Sequence, residues 1–282
     1  MDTSVPSVAE RRVHVAPLGH ERDRIVEPLR RHGADMVYLL ADAPDREAPR
    51  GAVDFEAAGA ADPVDTRVDL DRLTDYQRDA WTAAAEFASV RALPVELADV
   101  YDVLGVTTTV AARHGAGEED GDRLFANVST GPRIAAVGVA MACMIVGARP
   151  YSVEPERHRH DVRSEPLTEG VDRTVDLPLY PMDAPTTDQV AVLGRLHERA
   201  DDNVTTDKWN LIEWARERDL TFLREAGASR TAKYRALETH VLSPLRDRGY
   251  VELEDVGRSD TVRLTETGRR VFFAFKHKLG EE

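Results

Sequence analysis

The sequence contains very little lysine. Its 37 basic residues include only four lysines, so 33 are arginines, and 51 acidic residues give a formal charge of −14. Abundant Asp and Glu with almost no Lys is typical of proteins from a high-salt cytoplasm, where a Debye length of about 3 Å at 1 M salt suppresses charge repulsion. Net charge bears on solubility and nonspecific binding rather than on fold. The acidity therefore indicates a halophilic habitat and does not exclude an anionic partner.

Cysteine pairs, membrane spans and a secretion signal are also missing. The single cysteine, Cys143, lies in an apolar helix-like run, so we expect a buried thiol. The longest apolar run, residues 134–148, falls short of the roughly 20 residues that span a bilayer. Residues 1–10 are polar and acidic, unlike a signal peptide. We therefore expect a cytoplasmic protein that does not enter a membrane.

Three chemical signatures are absent from the sequence. There is no GxGxxG fingerprint of dinucleotide-binding folds and no GxxxxGK[ST] phosphate loop. No cluster of Cys and His has the spacing of a zinc site. We therefore predict neither a metal site nor a bound cofactor.

Hydrophobic residues make up 42% of the 282 residues, enough for the cores of two domains.

The first half of the sequence alternates between strand and helix patterns. We predict strands at 12–18, 35–40, 93–98, 123–128 and 149–153, with helices at 21–32, 73–90, 99–114 and 131–147. Pro28 argues for a kink or a later start in the first helix. The alternation predicts an α/β domain over residues 1–153, built on a Rossmann-like, mostly parallel sheet. Ligands of such sheets bind beyond the carboxyl ends of the strands, near the switch in strand order.

The rest of the sequence has a different pattern. Residues 154–185 hold five prolines and are interpreted as a linker that can contain a short strand around 175–179. In residues 186–282 we predict helices at 186–200, 206–218 and 229–247, a hairpin over 250–264 and a final helix from 265. Trp209 and Trp214 are expected to pack in the core. This order predicts a small α+β winged helix-turn-helix domain.

The charge distribution favours double-stranded DNA as a partner of this second domain. Residues 228–278 contain 11 bases and 7 acids, a net of +4 in an otherwise acidic chain. Ser229 is expected to cap the 229–247 helix, whose first two turns would enter the major groove. The candidate DNA contacts are Ser229, Arg230, Thr231, Lys233, Tyr234 and Arg235 on the helix, with Arg258 and Arg263 on the wing.

Two loops at predicted strand ends carry the candidate ligand site. In the first, residues 127–133 (NVSTGPR) open a helix rich in small residues, whose N-terminus favours an anion or a polar ring edge. In the second, residues 17–23 (PLGHERD) follow the first strand. In a doubly wound sheet both loops lie at one edge. The candidate ligand-binding residues are Leu18, Gly19, His20 and Arg22 in one loop and Asn127, Ser129, Thr130, Gly131 and Arg133 in the other.

The 127–133 loop, the Ala/Gly/Met-rich helix after it and the strand Arg149–Val153 resemble the second motif of CARF domains, the CRISPR-associated Rossmann fold. The usual form of that motif is Asn-x-Thr-Gly-Gly-Thr-Lys, and Arg133 stands at its basic position. The 18–22 loop resembles the family's first motif, and the whole chain resembles CARF–winged-helix regulators of a halophile branch. The resemblance implies a homodimer, a ligand cleft across the dimer axis, and cyclic oligoadenylate or another nucleotide as effector.

These observations favour a transcription regulator that senses a small anionic ligand and binds DNA, and they do not favour an enzyme. Two alternatives stay open. One is an enzyme that degrades a cyclic oligonucleotide, with His20, Ser129 and Arg133 orienting a ribose hydroxyl. The other is a dimeric scaffold with an inert sensor fold.

Overall fold

The computed structural model describes residues 10–44, 73–117, 120–158, 168–176, 183–201, 206–224, 226–256 and 259–280. Two compact units make up the chain, Met1–Asp183 and Ala184–Glu282. Each unit is described in turn.

The first unit contains a six-stranded sheet. Its elements are β1 Arg12–Pro17, α1 Arg22–His32, β2 Met36–Asp42, α2 Asp75–Ala85, β3 Ser89–Val95, α3 Val100–Arg113, β4 Arg123–Asn127, α4 Arg133–Val146, β5 Arg149–Glu154, β6 Arg157–His158, β7 Thr168–Glu169 and β8 Arg173–Asp176. The strand order is β3-β2-β1-β4-β5-β8, parallel except for β8. This confirms the predicted Rossmann-like sheet, and the order reverses between β1 and β4, which makes that pair the switch point.

Helices cover both faces of this sheet. α3 and α4 pack on one face, where Val103, Val139 and Cys143 join Val15 in a buried cluster. α1 and α2 pack on the other face, where a second cluster includes Trp81. The near-continuous apolar runs of the central strands follow from this two-sided cover.

Two boundaries of the first unit differ from the sequence predictions. The helix predicted over 73–90 ends at Ala85, because residues 89–95 pair in parallel with β2 along its whole length. Inside the segment interpreted as a linker, residues 173–176 pair antiparallel with β5 as an edge strand of the sheet. This strand overlaps the short strand expected around 175–179 and starts two residues earlier. Residues 177–179 lie outside the described residues.

The second unit is a winged helix. Its elements are α5 Thr187–Asp201, β9 Thr206–Asp207, α6 Lys208–Glu217, α7 Thr221–Arg224, α8 Arg230–Leu237, a π-helical segment Glu238–Leu242, α9 Ser243–Asp247, β10 Val251–Val256, β11 Ser259–Leu264, α10 Glu266–Phe275 and a 3₁₀ turn Lys276–Leu279. The strands form a sheet in the order β10-β11-β9. The predicted helices, hairpin and final helix are confirmed, while the two-residue β9 was too short to predict.

Both units accommodate a proline inside a helix in the same way. Pro28 has no N–H for the carbonyl of Arg24 four residues earlier, and Asn127 Nδ2 donates to that oxygen at 2.8 Å. α1 therefore begins at Arg22 and continues through Pro28, without the later start that Pro28 suggested. In the second unit Pro244 leaves the carbonyl of His240 without a donor, and Gln189 Nε2 supplies one at 2.9 Å. The helix is π-helical just before this proline, over Glu238–Leu242.

Candidate functional site

The two candidate ligand loops meet at the switch point of the sheet. They follow β1 and β4, which pair directly in parallel. A Cβ on Gly19 would lie 2.5 Å from the backbone nitrogen of Gly131. Gly131 itself has φ +71°, and a Cβ there would lie 2.7 Å from Cβ of Pro17. Both positions therefore require glycine. The buried Thr130 hydroxyl completes the junction by donating to the carbonyl of Pro17 at 2.8 Å.

Asn127 holds this loop pair in place. Its side chain is fully buried, and its Oδ1 accepts from the N–H and the hydroxyl of Ser129 at 2.9 and 2.6 Å. Ser129 Oγ in turn accepts from the N–H of Val153 in β5 at 3.0 Å. Because its Nδ2 donates to the Arg24 carbonyl, Asn127 connects α1 to its own loop and, through Ser129, to β5. The hydroxyl of Ser129 is thereby engaged with Asn127 and with the backbone of Val153.

The cations at this edge differ in how they are paired. Arg22 forms ion pairs with two carboxylates, since its Nε lies 2.6 Å from Asp79 and its Nη1 lies 3.2 Å from Asp23. Arg133 is exposed in the first turn of α4. Arg24, which the sequence analysis missed, donates from Nε to the Val153 carbonyl at 3.2 Å, and no described carboxylate forms an ion pair with it. Burial lowers the pKa of Arg24. Arg24 and Arg133 are the cations that can meet an anion here.

The remaining residues of the first loop take different positions. The side chain of Leu18 is buried in the cluster with α1 and α2, so Leu18 contributes only its backbone to this edge. Its N–H donates to Leu40 and its carbonyl accepts from Gln77 Nε2. His20 is half-buried next to Gly19.

The only signal for Arg24 in the sequence is a basic residue one helical turn before Pro28.

The helix after the second loop presents a free N-terminus and an apolar outer face. Pro132 occupies the cap position of α4, and no side chain caps the N–H groups of the first turn, although the N–H of Ala135 donates to the carbonyl of Pro132 at 3.0 Å. Neither Ser129 nor Thr130 supplies a cap. The small residues of α4 face α3, where a Cβ on Gly138 would lie 2.9 Å from Val103. The larger Ile134 and Val137 point outward, 39% and 49% exposed.

Buried histidines lie elsewhere in the first unit. His14 is fully buried in β1, stacked on Phe125 with ring centroids 4.9 Å apart, and its Nδ1 lies 3.4 Å from the Tyr151 hydroxyl. Burial, reinforced by the nearby charge of His32, lowers the pKa of His14 to about 3. The imidazole is therefore neutral at pH 7, and its uncharged form is the one that the folded core accepts.

The helix α8 has the predicted cap, and four of the six candidate DNA contacts at its start are exposed. Ser229 Oγ accepts from the N–H of Ala232 at 3.2 Å. Ser229, Arg230, Thr231 and Arg235 are exposed, and Lys233 and Tyr234 are half-buried. Leu237, Val241 and Leu245 form the buried side, as their spacing predicts. On the wing, Arg263 pairs with Glu254 at 3.0 Å, and Arg258 lies outside the described residues.

Neither a metal cluster nor a membrane-spanning helix appears in the described parts of the chain. No group of three His, Cys, Asp or Glu side chains there has a metal-binding arrangement. None of the helices formed by those same residues is both long and apolar enough to cross a bilayer.

Two family models match the chain. One, described as "HFX_2341_N:-like, N-terminal", matches residues 12–158, and one described as a DUF6293 C-terminal winged helix domain matches residues 188–276. No curated protein matches significantly. The second model agrees with the helix, hairpin and helix order described above.

Solved structures show a distant likeness. Csm6 from Enterococcus italicus, bound to cyclic hexa-2'-fluoro-hexa-dAMP, is 9% identical over 85% of this chain and 58% of its own, with a TM-score of 0.37. Can2 from Sulfobacillus thermosulfidooxidans, in complex with cyclic tetra-adenylate, is 11% identical over 94% and 63%, with a TM-score of 0.36. Protein VC1899 from Vibrio cholerae is 14% identical over 95% and 66%, with a TM-score of 0.33. The chain thus spans less than two thirds of each, and its fold assignment stands on strand order and the family models.

Proposed function

The chain belongs to the family of HFX_2341_N:-like N-terminal domains, here followed by a winged helix domain, and we propose that it is a transcription regulator controlled by a small anionic ligand. The observation that carries the proposal is the combination, in one chain, of a switch point that carries the cations Arg24 and Arg133 and a winged helix whose α8 is basic. A winged helix presents one helix to the major groove. A switch-point crevice is where open α/β sheets bind ligands.

The ligand that fits the crevice is an anion with a polar ring, such as a nucleotide. The uncapped N-terminus of α4 and the guanidinium groups of Arg24 and Arg133 supply positive potential. The glycines at 19 and 131 let the two loops pack backbone against backbone, which keeps both loops at the switch point. The sequence resemblance to CARF motifs narrows the class to cyclic oligoadenylates and related nucleotides. Asn127 and Thr130, both buried, act as supports of the loops.

We propose that the protein acts as a homodimer in which α4 of one protomer packs on α4 of its partner. Ile134 and Val137 are apolar and exposed on this helix, whereas its small residues face inward. Exposed apolar side chains of this size on a helix face mark an interaction surface. A twofold axis beside α4 would bring two copies of Arg133 to one cleft, which suits a symmetric cyclic ligand. Two winged helices would then read two half-sites.

Mass spectrometry of small molecules that copurify with the protein, in buffer of high ionic strength, tests the sensor. We expect a nucleotide to be released on denaturation, and its addition to the ligand-free protein to raise the unfolding temperature. Recovery of the compound unchanged after incubation with the protein distinguishes sensing from degradation. A gel-shift assay with double-stranded DNA distinguishes a regulator from an inert scaffold.

A further inference from the structure

The side chain of Arg230 lies against two aromatic rings. Its guanidinium carbon is 4.4 Å from the centroid of the Trp209 indole and 5.6 Å from that of the Tyr234 ring. Arg230 Nη2 lies 3.4 Å from the Tyr234 hydroxyl oxygen, within hydrogen-bond distance. The two rings also stack on each other, with centroids 5.9 Å apart and planes inclined by 23°. We call these three residues the aromatic clamp.

The clamp joins the starts of two helices. Trp209 is in the first turn of α6, where Asp207 Oδ1 accepts from the N–H of Asn210 at 2.8 Å. Arg230 and Tyr234 are four residues apart at the start of α8, and therefore lie on one side of that helix. Lys208, next to Trp209, forms an ion pair with Glu238 at 3.2 Å. The two aromatic rings are thus held by helix ends that are themselves fixed.

One N–H of Arg230 Nη2 donates to the Tyr234 hydroxyl, and the clamp leaves the other N–H donors of the guanidinium available. Stacking uses the flat face of a guanidinium, whereas its N–H donors point outward in the plane of the group. No carboxylate among the described residues forms an ion pair with Arg230, which is exposed. An exposed arginine ordinarily loses much side-chain freedom when it binds. An arginine already held on an indole loses less, so its contact with a base edge is pre-organised.

We propose that Trp209 is a positioning residue that fixes Arg230 for bidentate contact with a guanine in the major groove. The proposal rests on the DNA-binding function proposed above. Guanine presents the O6 and N7 acceptors that match two parallel guanidinium donors. Trp209 itself does not read the base; it acts through Arg230. This assigns the indole a role that neither its position on α6 nor the family models suggest.

Binding of the full-length protein to two duplexes tests the proposal. The first is a 30-bp duplex selected by the wild-type protein from a random library, and the second is its scrambled counterpart. We expect Trp209→Leu to weaken binding to the selected duplex by about 5- to 30-fold, which corresponds to one or two kcal/mol. Binding to the scrambled duplex should change less than about twofold, because cation–π positioning matters only where Arg230 reads a base. Trp209→Phe, which keeps an aromatic face, should recover most of the loss.

The decisive comparison is between backgrounds. In an Arg230→Ala protein, Trp209→Leu should change binding less than about twofold, because the arginine that Trp209 positions is gone. Trp214→Leu is the matched control: that indole is on the same helix and contacts Arg218 at 4.9 Å, away from the clamp. It should leave the discrimination between the two duplexes unchanged. Unfolding temperatures of all variants identify any loss caused by a damaged fold.

Three results would overturn the proposal. Equal losses from Trp209→Leu in both backgrounds would mean that Trp209 acts independently of Arg230. Stronger binding after Trp209→Leu would mean that the indole holds Arg230 away from DNA. Equal losses on both duplexes would mean that Trp209 supports the fold or a phosphate contact. A wild-type protein that selects no duplex at all would instead refute the DNA-binding function, and this inference with it.

Discussion

Removing the amide of Asn127 should loosen the switch-point loops, and removing Pro28 should partly restore them. Asn127→Ala leaves two part-buried backbone groups without partners, the carbonyl of Arg24 and the N–H of Ser129, and it also removes the acceptor of the Ser129 hydroxyl. Each unsatisfied backbone group costs about 1–3 kcal/mol, so we expect the two to lower the stability of the first unit by roughly 2–6 kcal/mol. In the Asn127→Ala background, Pro28→Ala supplies an N–H four residues after Arg24. That donor should return about 1–2 kcal/mol, because it satisfies one of the two groups.

Scanning calorimetry of the full-length protein measures this cycle through the unfolding transition of the first unit. The control is Pro28→Ala alone, which should give little gain because Asn127 already occupies the Arg24 carbonyl. The coupling energy between the two substitutions should exceed about 0.5 kcal/mol, the level below which independent sites add. If Pro28→Ala has the same effect with and without Asn127, then the amide does not stand in for the missing N–H, and the reasoning is refuted.

Three further predictions concern the first unit. Val137→Glu should give the 31.3 kDa monomer in light scattering at high salt, since a carboxylate cannot be buried unpaired in the α4 interface; a dimer would move the interface elsewhere. Arg133→Ala should weaken binding of the copurified nucleotide, measured by calorimetry, by about 1–3 kcal/mol; unchanged affinity would remove Arg133 from the site. The lowered folded-state pKa of His14, about 3, means that the unfolded chain binds more protons between pH 3 and 6.5, so stability should fall as the pH drops through that window, by up to about 1.4 kcal/mol per unit. His14→Phe should flatten that slope in urea titrations, and an unchanged slope would assign it to other groups.

The sequence places the two candidate ligand loops at one edge of the sheet, but it does not show how their side chains are paired. Strand–helix alternation predicts which loops share an edge of the sheet, because parallel strands end together. It cannot show that the amide of Asn127 donates to the carbonyl of Arg24. That carbonyl lacks its helical donor because of Pro28, about a hundred residues before Asn127. Such a pairing depends on the tertiary fold, and so does the pairing of Arg22 with Asp79.

Periodicity has a related limit. The spacing of Ile134 and Val137 predicts that they share one side of α4, but it does not say which side the protein covers. The buried side is the one with small residues, because α3 approaches it closely at Gly138. Trp209 was expected in the core because a large apolar ring on a helix is usually buried. Its stacking with Arg230 depends on the approach of α6 to α8, which the sequence pattern does not encode.

The central claim is that a ligand bound at the switch point alters DNA binding by the winged helix. The most direct test is the dissociation constant of the wild-type protein for its selected duplex, measured with and without a saturating concentration of the copurified nucleotide. Coupling between two sites is commonly 5- to 150-fold, and we expect a change of about that size in either direction. The same nucleotide should cause no change in an Arg24→Ala, Arg133→Ala protein that still binds DNA. An identical dissociation constant with and without bound nucleotide in the wild-type protein would contradict the account.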